Sequence, residues 1–143
     1  MITATFAAPA EELFAVLADH QDMPRWLPLL RRVDVDNSGS RQPGMCDVGS
    51  ARICRGIGFG TVRETFLAWE PGIGFAYRVE GWMMPFTDHL AVVRITPRDD
   101  GGSTLQWSQH FRDRGLILKW FCPWGIRRLL SCGIRNLGGT IQG

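Results

Sequence analysis

The chain has 143 residues, near the commonest size of one domain, with 45% hydrophobic and 21% charged residues. We therefore expect a single domain over residues 1–143 that buries its core without staples. A net charge of +2 is too weak for the basic footprint of nucleic-acid binding, so no nucleic-acid partner is expected. Six Trp and eight Phe against one Tyr make the chain unusually aromatic.

Cysteine spacing and the apolar stretches limit which metal sites and which cellular compartments are expected. The cysteines at 46, 54, 122 and 132 form no C-x-x-C pair, so neither a metal nor a cofactor is predicted and reduced thiols are expected. The N-terminus lacks the pattern of a signal peptide. The longest apolar stretch, 116–126, contains Lys119 and is too short to span a bilayer. We expect a cytoplasmic protein without a transmembrane segment.

In chain order, the sequence first predicts a short strand and then two short helices. Residues 2–6 alternate as a strand, and Pro9 opens a helix with Glu11 and Glu12 in its first turn. Two prolines keep 23–28 to a short helix or turn. Period-two patterns between turn signals predict six further strands. These strands are 30–36, 50–55, 61–69, 75–81, 87–96 and 103–112, with turns that include 82–85 and 97–102.

After residue 115 the apolar period becomes that of a helix, with apolar positions at 126, 129, 130, 133, 134 and 137. Pro123 is expected to break or kink this helix near Cys122, and a break would leave 116–121 as a separate turn. Short connections make neighbouring strands pair, and a twisted sheet of this size curls. The predicted fold is an α+β domain whose curved antiparallel sheet of about seven strands wraps on a long C-terminal helix and encloses a cavity.

Four segments resemble a known superfamily. They are Ala8-Pro-Ala-Glu-Glu-Leu-Phe-Ala-Val-Leu17 followed by Trp26, Glu64-Thr-Phe-Leu-Ala-Trp-Glu-Pro71, Phe75-Ala-Tyr-Arg78, and Asp100-Gly-Gly-Ser-Thr-Leu-Gln-Trp107. With the element order, they resemble the SRPBCC, or START-like helix-grip, superfamily and within it the bacterial polyketide cyclase/dehydrase group. The resemblance implies a helix-grip fold around a ligand cavity. It implies no shared catalytic residues.

Alternation and hairpin centring predict which side chains face the cavity. One row holds Glu64, Val79, His89 and Phe111, a second Phe66, Tyr77, Ala91 and Gln109, and a third Ala68, Phe75, Val93 and Trp107. Trp26 and Trp120 are expected to close the mouth, and His20 and His110 to face solvent. The predicted ligand-binding residues are Trp26, Phe66, Phe75, Tyr77, Ala91, Trp107, Gln109, Phe111 and Trp120.

The leading functional hypothesis is binding or carriage of a small hydrophobic molecule, aromatic, polyketide-like or lipid. The alternative is a cyclase or dehydratase in which Glu64 and His89 act as an acid–base pair. Glu64 could instead reach water at a strand end, and His89 could be a core or rim histidine. A third reading is an interaction protein with a vestigial cavity, in which the apolar segment 116–124 binds a partner or a membrane surface. Whichever reading holds, this segment is expected to be partly exposed and to make a homodimer or lid contact.

Overall fold

The structure, a computed structural model, describes residues 1–57, 60–81, 86–113 and 116–142. For residues 86–88, 111–113, 116–123 and 142 it describes the backbone alone. The predicted turn at 82–85 lies outside the described residues. The elements are β1 Ile2–Phe6, α1 Ala10–Ala18, a 3-10 helix His20–Arg25, β2 Leu30–Asp36, β3 Ala51–Gly56, β4 Gly60–Glu70, β5 Gly74–Glu80, β6 Phe86–Pro97, β7 Ser103–Asp113, α2 Leu116–Asn136 and β8 Thr140–Gln142.

The strands form one antiparallel sheet in the order β2-β3-β4-β5-β6-β7-β1-β8. The α+β prediction and all seven predicted strands are confirmed within a residue or two at each end. The eighth strand, Thr140–Gln142, was not predicted. It has three residues and follows Gly138 and Gly139, so it is too short to show a period-two pattern. It extends the sheet by pairing with β1.

The predicted pairing of the central strands is confirmed except at two register shifts. Glu64 pairs with Val79, Phe66 with Tyr77 and Phe75 with Val93, but the register shifts between Phe66 and Ala68. Ala68 is therefore exposed, and Trp69 takes its place opposite Phe75. The prediction that Ala68 faces inward is wrong because a bulge inserts one residue and exchanges the faces beyond it. A second shift, between Thr87 and Leu90, separates His89 from the predicted row partner at position 111.

Helix α1 closes one end of the concave face of the sheet. Pro9 precedes its first turn, Glu11 and Glu12 lie in that turn, and its buried face includes Leu13, Phe14 and Leu17. Phe14 meets Trp69 and Phe75 edge-on, with ring centroids 5.4 and 6.3 Å apart. Both aromatic contacts fix the helix over the end of the sheet at which β4 turns into β5.

Helix α2 runs as one helix through Pro123, so a break near Cys122 with a separate turn at 116–121 is wrong, while a kink stays a prediction. A proline removes one backbone hydrogen bond and crowds the carbonyl four residues earlier, which a 21-residue helix can absorb by bending. Leu130 and Ile134 enter the core, and Asn136 Nδ2 donates to the Trp26 carbonyl at 2.8 Å. None of the described helices is both long and apolar enough to cross a membrane.

Candidate functional site

Three rows of side chains cross the concave face of the sheet. Strand pairing aligns Arg52, Glu64, Val79 and His89 in the first row. The second row is Phe66, Tyr77, Ala91 and Gln109, and the third is Trp69, Phe75, Val93 and Trp107. The first row lies nearest the end of the sheet at which β3 turns into β4 and β5 into β6. Helix α2 begins at that same end, after β7.

The second and third rows contain a layer of packed aromatic side chains. Phe66, Phe75, Tyr77 and Trp107 are each at most 3% exposed, and Ala91 and Val93 are equally buried. Phe66 meets Phe75 and Tyr77 edge-on at 5.5 and 6.1 Å, while Trp69 stacks on Phe75 at 5.3 Å. Such contacts add roughly 0.5–1.5 kcal/mol each beyond the burial of the rings. The layer therefore gives the site a rigid apolar base.

A buried arginine stands beside this layer and was missed from the sequence. Arg52 is 1% exposed, and its Nε donates to Oε2 of Glu64. Its guanidinium carbon lies 4.6 Å from the centroid of the Tyr77 ring, a cation–π contact. No hydrogen-bond partner of its Nη2 is found among the described residues. Alternation within 50–55 already placed residue 52 on the same face as Cys54, which is the signal that could have found it.

His20 also lies inside, so the prediction that it faces solvent is wrong. It is 3% exposed and stacks on Phe66 with centroids 5.0 Å apart. Its Nδ1 accepts from Nη1 of Arg52 at 3.2 Å, since an arginine can only donate. Nε2 then carries the proton and faces Cys46 Sγ at 3.6 Å. Burial, followed by the charge of Arg52, lowers the pKa of His20 to about 3, so the ring is neutral.

Glu64 lies at the inner face of the sheet, with 14% of its side chain exposed. Its Oε2 meets Arg52 and, at 3.9 Å, Sγ of Cys54. Burial and then the Glu64 charge raise the pKa of Cys54 to about 12 and that of Tyr77 above its usual range. The thiol and the phenol are therefore protonated, and the Arg52–Glu64 pair is the charged element of the site.

His89 bonds to Gln109 on the neighbouring strand, through Nε2 and Oε1. It is 4% exposed, and burial lowers its pKa despite the opposing effects of Gln109 and the Glu64 charge. The imidazole is thus neutral at pH 7. Because Gln109 Oε1 is an acceptor, Nε2 carries the proton and Nδ1 is the basic nitrogen. His110 is exposed on the other face, as predicted.

The remaining predicted residues divide into two groups. Trp26 is 4% exposed and packs on α2 at Gly133, and its expected role in closing the mouth stays a prediction. The glycine lets the helix approach the indole closely, which draws Trp26 into the core. Phe111 and Trp120 belong to β7 and α2, but their side chains lie outside the described residues.

Two other kinds of site are relevant to the described residues, a metal centre and a surface pocket. Among the side chains that the structure describes, no group of three His, Cys, Asp or Glu could hold a metal ion. A shallow surface concavity of about 400 Å³ is lined by Pro97, Arg98, Asp99 and Asp100 at the β6–β7 turn. It contains none of the predicted site residues.

The first row therefore combines hydrogen-bonding groups of several kinds on an aromatic base. The Arg52–Glu64 pair has no net charge, and His89 is neutral, so the row presents donors and acceptors without an excess of either sign. Such a surface can orient a carbonyl or hydroxyl group of an apolar molecule. A neutral imidazole near a carboxylate can also accept and return a proton.

Solved structures with the same fold include proteins from different sources. XoxI from Bacillus cereus is 15% identical, with a TM-score of 0.74 over 94% of this chain and 89% of that one. A solution structure from Thermobifida fusca is 20% identical, with a TM-score of 0.74 and coverage of 94% and 87%. Ara h 8.0201 is 15% identical, with a TM-score of 0.73 and coverage of 94% and 90%.

At these identities the likeness shows the fold alone, and it confirms the helix-grip architecture. No curated protein matches the chain significantly. A family model described as "Polyketide cyclase / dehydrase and lipid transport" matches residues 2–142. The chain therefore belongs to the polyketide cyclase/dehydrase and lipid transport family.

Proposed function

We propose that this protein binds a small, mostly apolar molecule between the concave face of the sheet and α2. The molecule would place a carbonyl or hydroxyl group against Arg52, Glu64 and His89. The observation that carries the proposal is the polar first row, buried beside an aromatic layer. Burying an ion pair costs several kcal/mol of desolvation per ion, and hydrophobic replacements are often at least as stable. A row that weakens the core in this way is better explained by a ligand than by folding.

The position of the row supports the same reading. Helix α1 and the 3-10 helix cover the rows of Phe66 and Phe75, through Phe14 and His20. The polar row lies nearest the end where α2 begins, and its Arg52 is itself covered by His20 and Met23 of the 3-10 helix. The family description names lipid transport beside cyclase and dehydrase activity, and both involve largely apolar molecules. The ligand class follows from the apolar base and from the lack of net charge in the row.

The test enlarges one side chain of the second row without adding a polar group. Ala91 is 0% exposed and lies between Tyr77 and Gln109. In Ala91→Leu, the added side chain should weaken the binding of flat apolar probes such as a flavonoid by at least tenfold, read by quenching of Trp fluorescence. Micromolar affinity, roughly −8 kcal/mol, is expected for the unmodified chain.

The matched control is Ala68→Leu, which makes the same change on the exposed side of the bulge. This variant should bind with unchanged affinity. If no probe of a diverse panel bound saturably, a ligand over the second row would be excluded. Equal affinity of the two variants for the probe would exclude it as well. Native mass spectrometry of protein from its own host would then identify the molecule retained by the unmodified chain.

An enzymatic role is the second candidate. The observation that favours it is that Glu64 and His89 lie in one row and that the imidazole of His89 is neutral. Their backbones are two strands apart, roughly 9–10 Å. His89 would take a proton from an acidic carbon and return it to oxygen, as aldol cyclisation followed by dehydration requires. Tyr77 and Gln109 would orient the substrate oxygen.

Glu64→Gln and His89→Gln separate the two candidates. If the protein is an enzyme, each should reduce product formation from a poly-β-ketone by 10²-fold or more, with ligand affinity within a few-fold. Glu80→Gln and His110→Gln change the same residue types at exposed positions and should change neither quantity. Turnover that survives in both inner variants would leave the binding role alone.

A further inference from the structure

The charges of this chain are divided between two parts of the sequence. Residues 114–143 contain five of the 16 Lys and Arg residues and no Asp or Glu. Residues 1–113 contain the other 11 basic residues and all 14 acidic ones. The segment 114–143, which includes α2 and β8, is therefore cationic, at +5, on a body with a formal charge of −3.

The described part of α2 has one buried and one exposed face. Leu130, Gly133 and Ile134 are buried in the core. Trp124 is 60% exposed, and Arg127, Arg128 and Arg135 are exposed with it. Positions 124, 128 and 135 recur at helical spacing, so these side chains lie on one outer face. The guanidinium of Arg128 lies 5.2 Å from the Trp124 ring centroid.

The arginines of this face differ from most of those on the body. Arg32, Arg41, Arg55, Arg63, Arg78 and Arg98 each have a carboxylate oxygen within 4.0 Å. Arg127, Arg128 and Arg135 have none among the described residues, and Arg127 instead meets the Met1 carbonyl at 3.4 Å. Their positive charge is thus available to an external anion.

We propose that the outer face of α2 docks on the surface of an anionic lipid bilayer. Trp124 would sit at the level of the headgroups, with Arg127, Arg128 and Arg135 on lipid phosphates. Helices that lie on membranes combine basic side chains with an aromatic anchor in this way. The inference rests on the proposed function, because α2 begins at the end of the sheet where the ligand would enter. Docking would bring that end close to a reservoir of apolar molecules.

The composition of the helix favours lipid over nucleic acid. It begins with Leu116-Ile-Leu-Lys-Trp-Phe121, which has a single basic residue in six. A helix that follows a phosphate backbone would carry a denser run of basic residues. An exposed indole beside dispersed arginines matches the headgroup region, where apolar and charged groups are both satisfied.

The experiment is sedimentation of the full chain with vesicles of phosphatidylglycerol and phosphatidylcholine, compared with pure phosphatidylcholine. The protein should bind the anionic vesicles only, and 0.5 M NaCl should release it. Each basic side chain near an anionic surface is worth about 1 kcal/mol, so Arg127→Glu/Arg128→Glu should lower partitioning roughly 30-fold or more. Trp124→Ser should lower it less, in a way that salt does not change.

The matched control is Arg31→Glu/Arg94→Glu, which makes the same charge change at exposed arginines on the sheet. It should lower partitioning only a few-fold. Equal losses in the two double variants would overturn the proposal, because net charge would then explain the association. No binding to anionic vesicles would overturn it too, and so would tighter binding to duplex DNA or single-stranded RNA that the α2 variant abolishes.

Two readouts separate this inference from the proposed function. The Arg127→Glu/Arg128→Glu variant should bind the apolar probe in vesicle-free buffer with unchanged affinity. Ala91→Leu should lose the probe and keep its vesicle binding. If the Arg127→Glu/Arg128→Glu variant alone lost probe binding, the membrane surface and the ligand site would not be separate. If the unmodified chain and all variants failed to bind the probe, only the proposed function would be contradicted.

Discussion

The buried Arg52–Glu64 ion pair places two charges beside an otherwise apolar core. Arg52 is held by an ion pair, by His20 and by the faces of Tyr77 and Phe66, with 1% of its surface exposed. Removing one member of a buried pair leaves the other charge without compensation, whereas removing both often costs little. The two kinds of substitution therefore separate the pair's contribution to stability from its contribution to ligand binding.

We expect Arg52→Met to lower the free energy of unfolding by about 3 kcal/mol, because Glu64 keeps only 14% exposure. Arg52→Met/Glu64→Met should recover most of that loss, and denaturant titration measures both. The control is Arg63→Met, which removes an exposed pair with Asp36 on the other face and should cost less than about 1 kcal/mol. A double variant as unstable as the single one would contradict this account.

At individual positions, the sequence predicted apolar residues better than polar ones. Phe66, Tyr77 and Trp107 are inside as predicted, because alternation alone decides their face. Arg52 and His20 were missed, because charge and polarity argue for exposure unless the partner that offsets burial is known. That partner is 12 residues away for Arg52 and 32 for His20, and only the pairing of the sheet brings them together.

At the scale of elements, the sequence did not reveal the places where a strand or helix departs from its regular residue pattern. The bulge at Phe66–Ala68 leaves a continuous alternation in the sequence, yet it turns Trp69 inward and Ala68 outward. The continuity of α2 across Pro123 runs against the low propensity of proline for a helix interior. Strand β8 exists because β1 offers an open edge to three residues after a glycine pair.

The close approach of α2 to Trp26 gives a prediction for the helix. A Cβ on Gly133 would lie 2.8 Å from Leu27 Cδ1 and 3.1 Å from Cε3 of the buried Trp26 ring. The leucine end can move, but the indole is confined, so Gly133→Ala should cost about 1–3 kcal/mol in thermal or denaturant unfolding.

Gly125 provides the comparison within the same helix. It is exposed, and no described atom lies within 4 Å of an added Cβ, so Gly125→Ala should stabilise by about 0.5–1 kcal/mol through helix propensity. If both substitutions stabilised the protein, propensity would outweigh packing at Gly133, and the contact with Trp26 would be looser than the distances indicate.

At the scale of the whole molecule, the protein has an apolar layer, a polar row and a cationic helix face in different places. The aromatic layer is covered by α1 and the 3-10 helix, and the polar row lies towards the start of α2. The excess positive charge is on the outer side of that helix. The proposed ligand binding and the proposed membrane association should therefore be altered by separate substitutions.

The stability of the whole molecule should depend on pH through its buried histidines. The pKa of His20 is about 3 in the folded chain, against about 6.5 when unfolded. Between these values the unfolded chain binds the extra proton, so stability falls as pH falls through this window. From pH 7.5 to 4.5 this group alone should remove about 2.5 kcal/mol. His89, whose pKa is also lowered, acts in the same direction.

His20→Asn tests this, because the amide oxygen can still accept from Arg52 at the position of Nδ1 but does not titrate. Urea unfolding between pH 4.5 and 7.5 should show a shallower pH dependence in this variant, by about the amount above. His110→Asn removes an exposed histidine and should leave the slope unchanged. An identical slope in His20→Asn would mean that the ring is protonated or solvated in the folded chain. The neutral tautomer that accepts from Arg52 would then be wrong, and with it the account of how His20 supports the polar row.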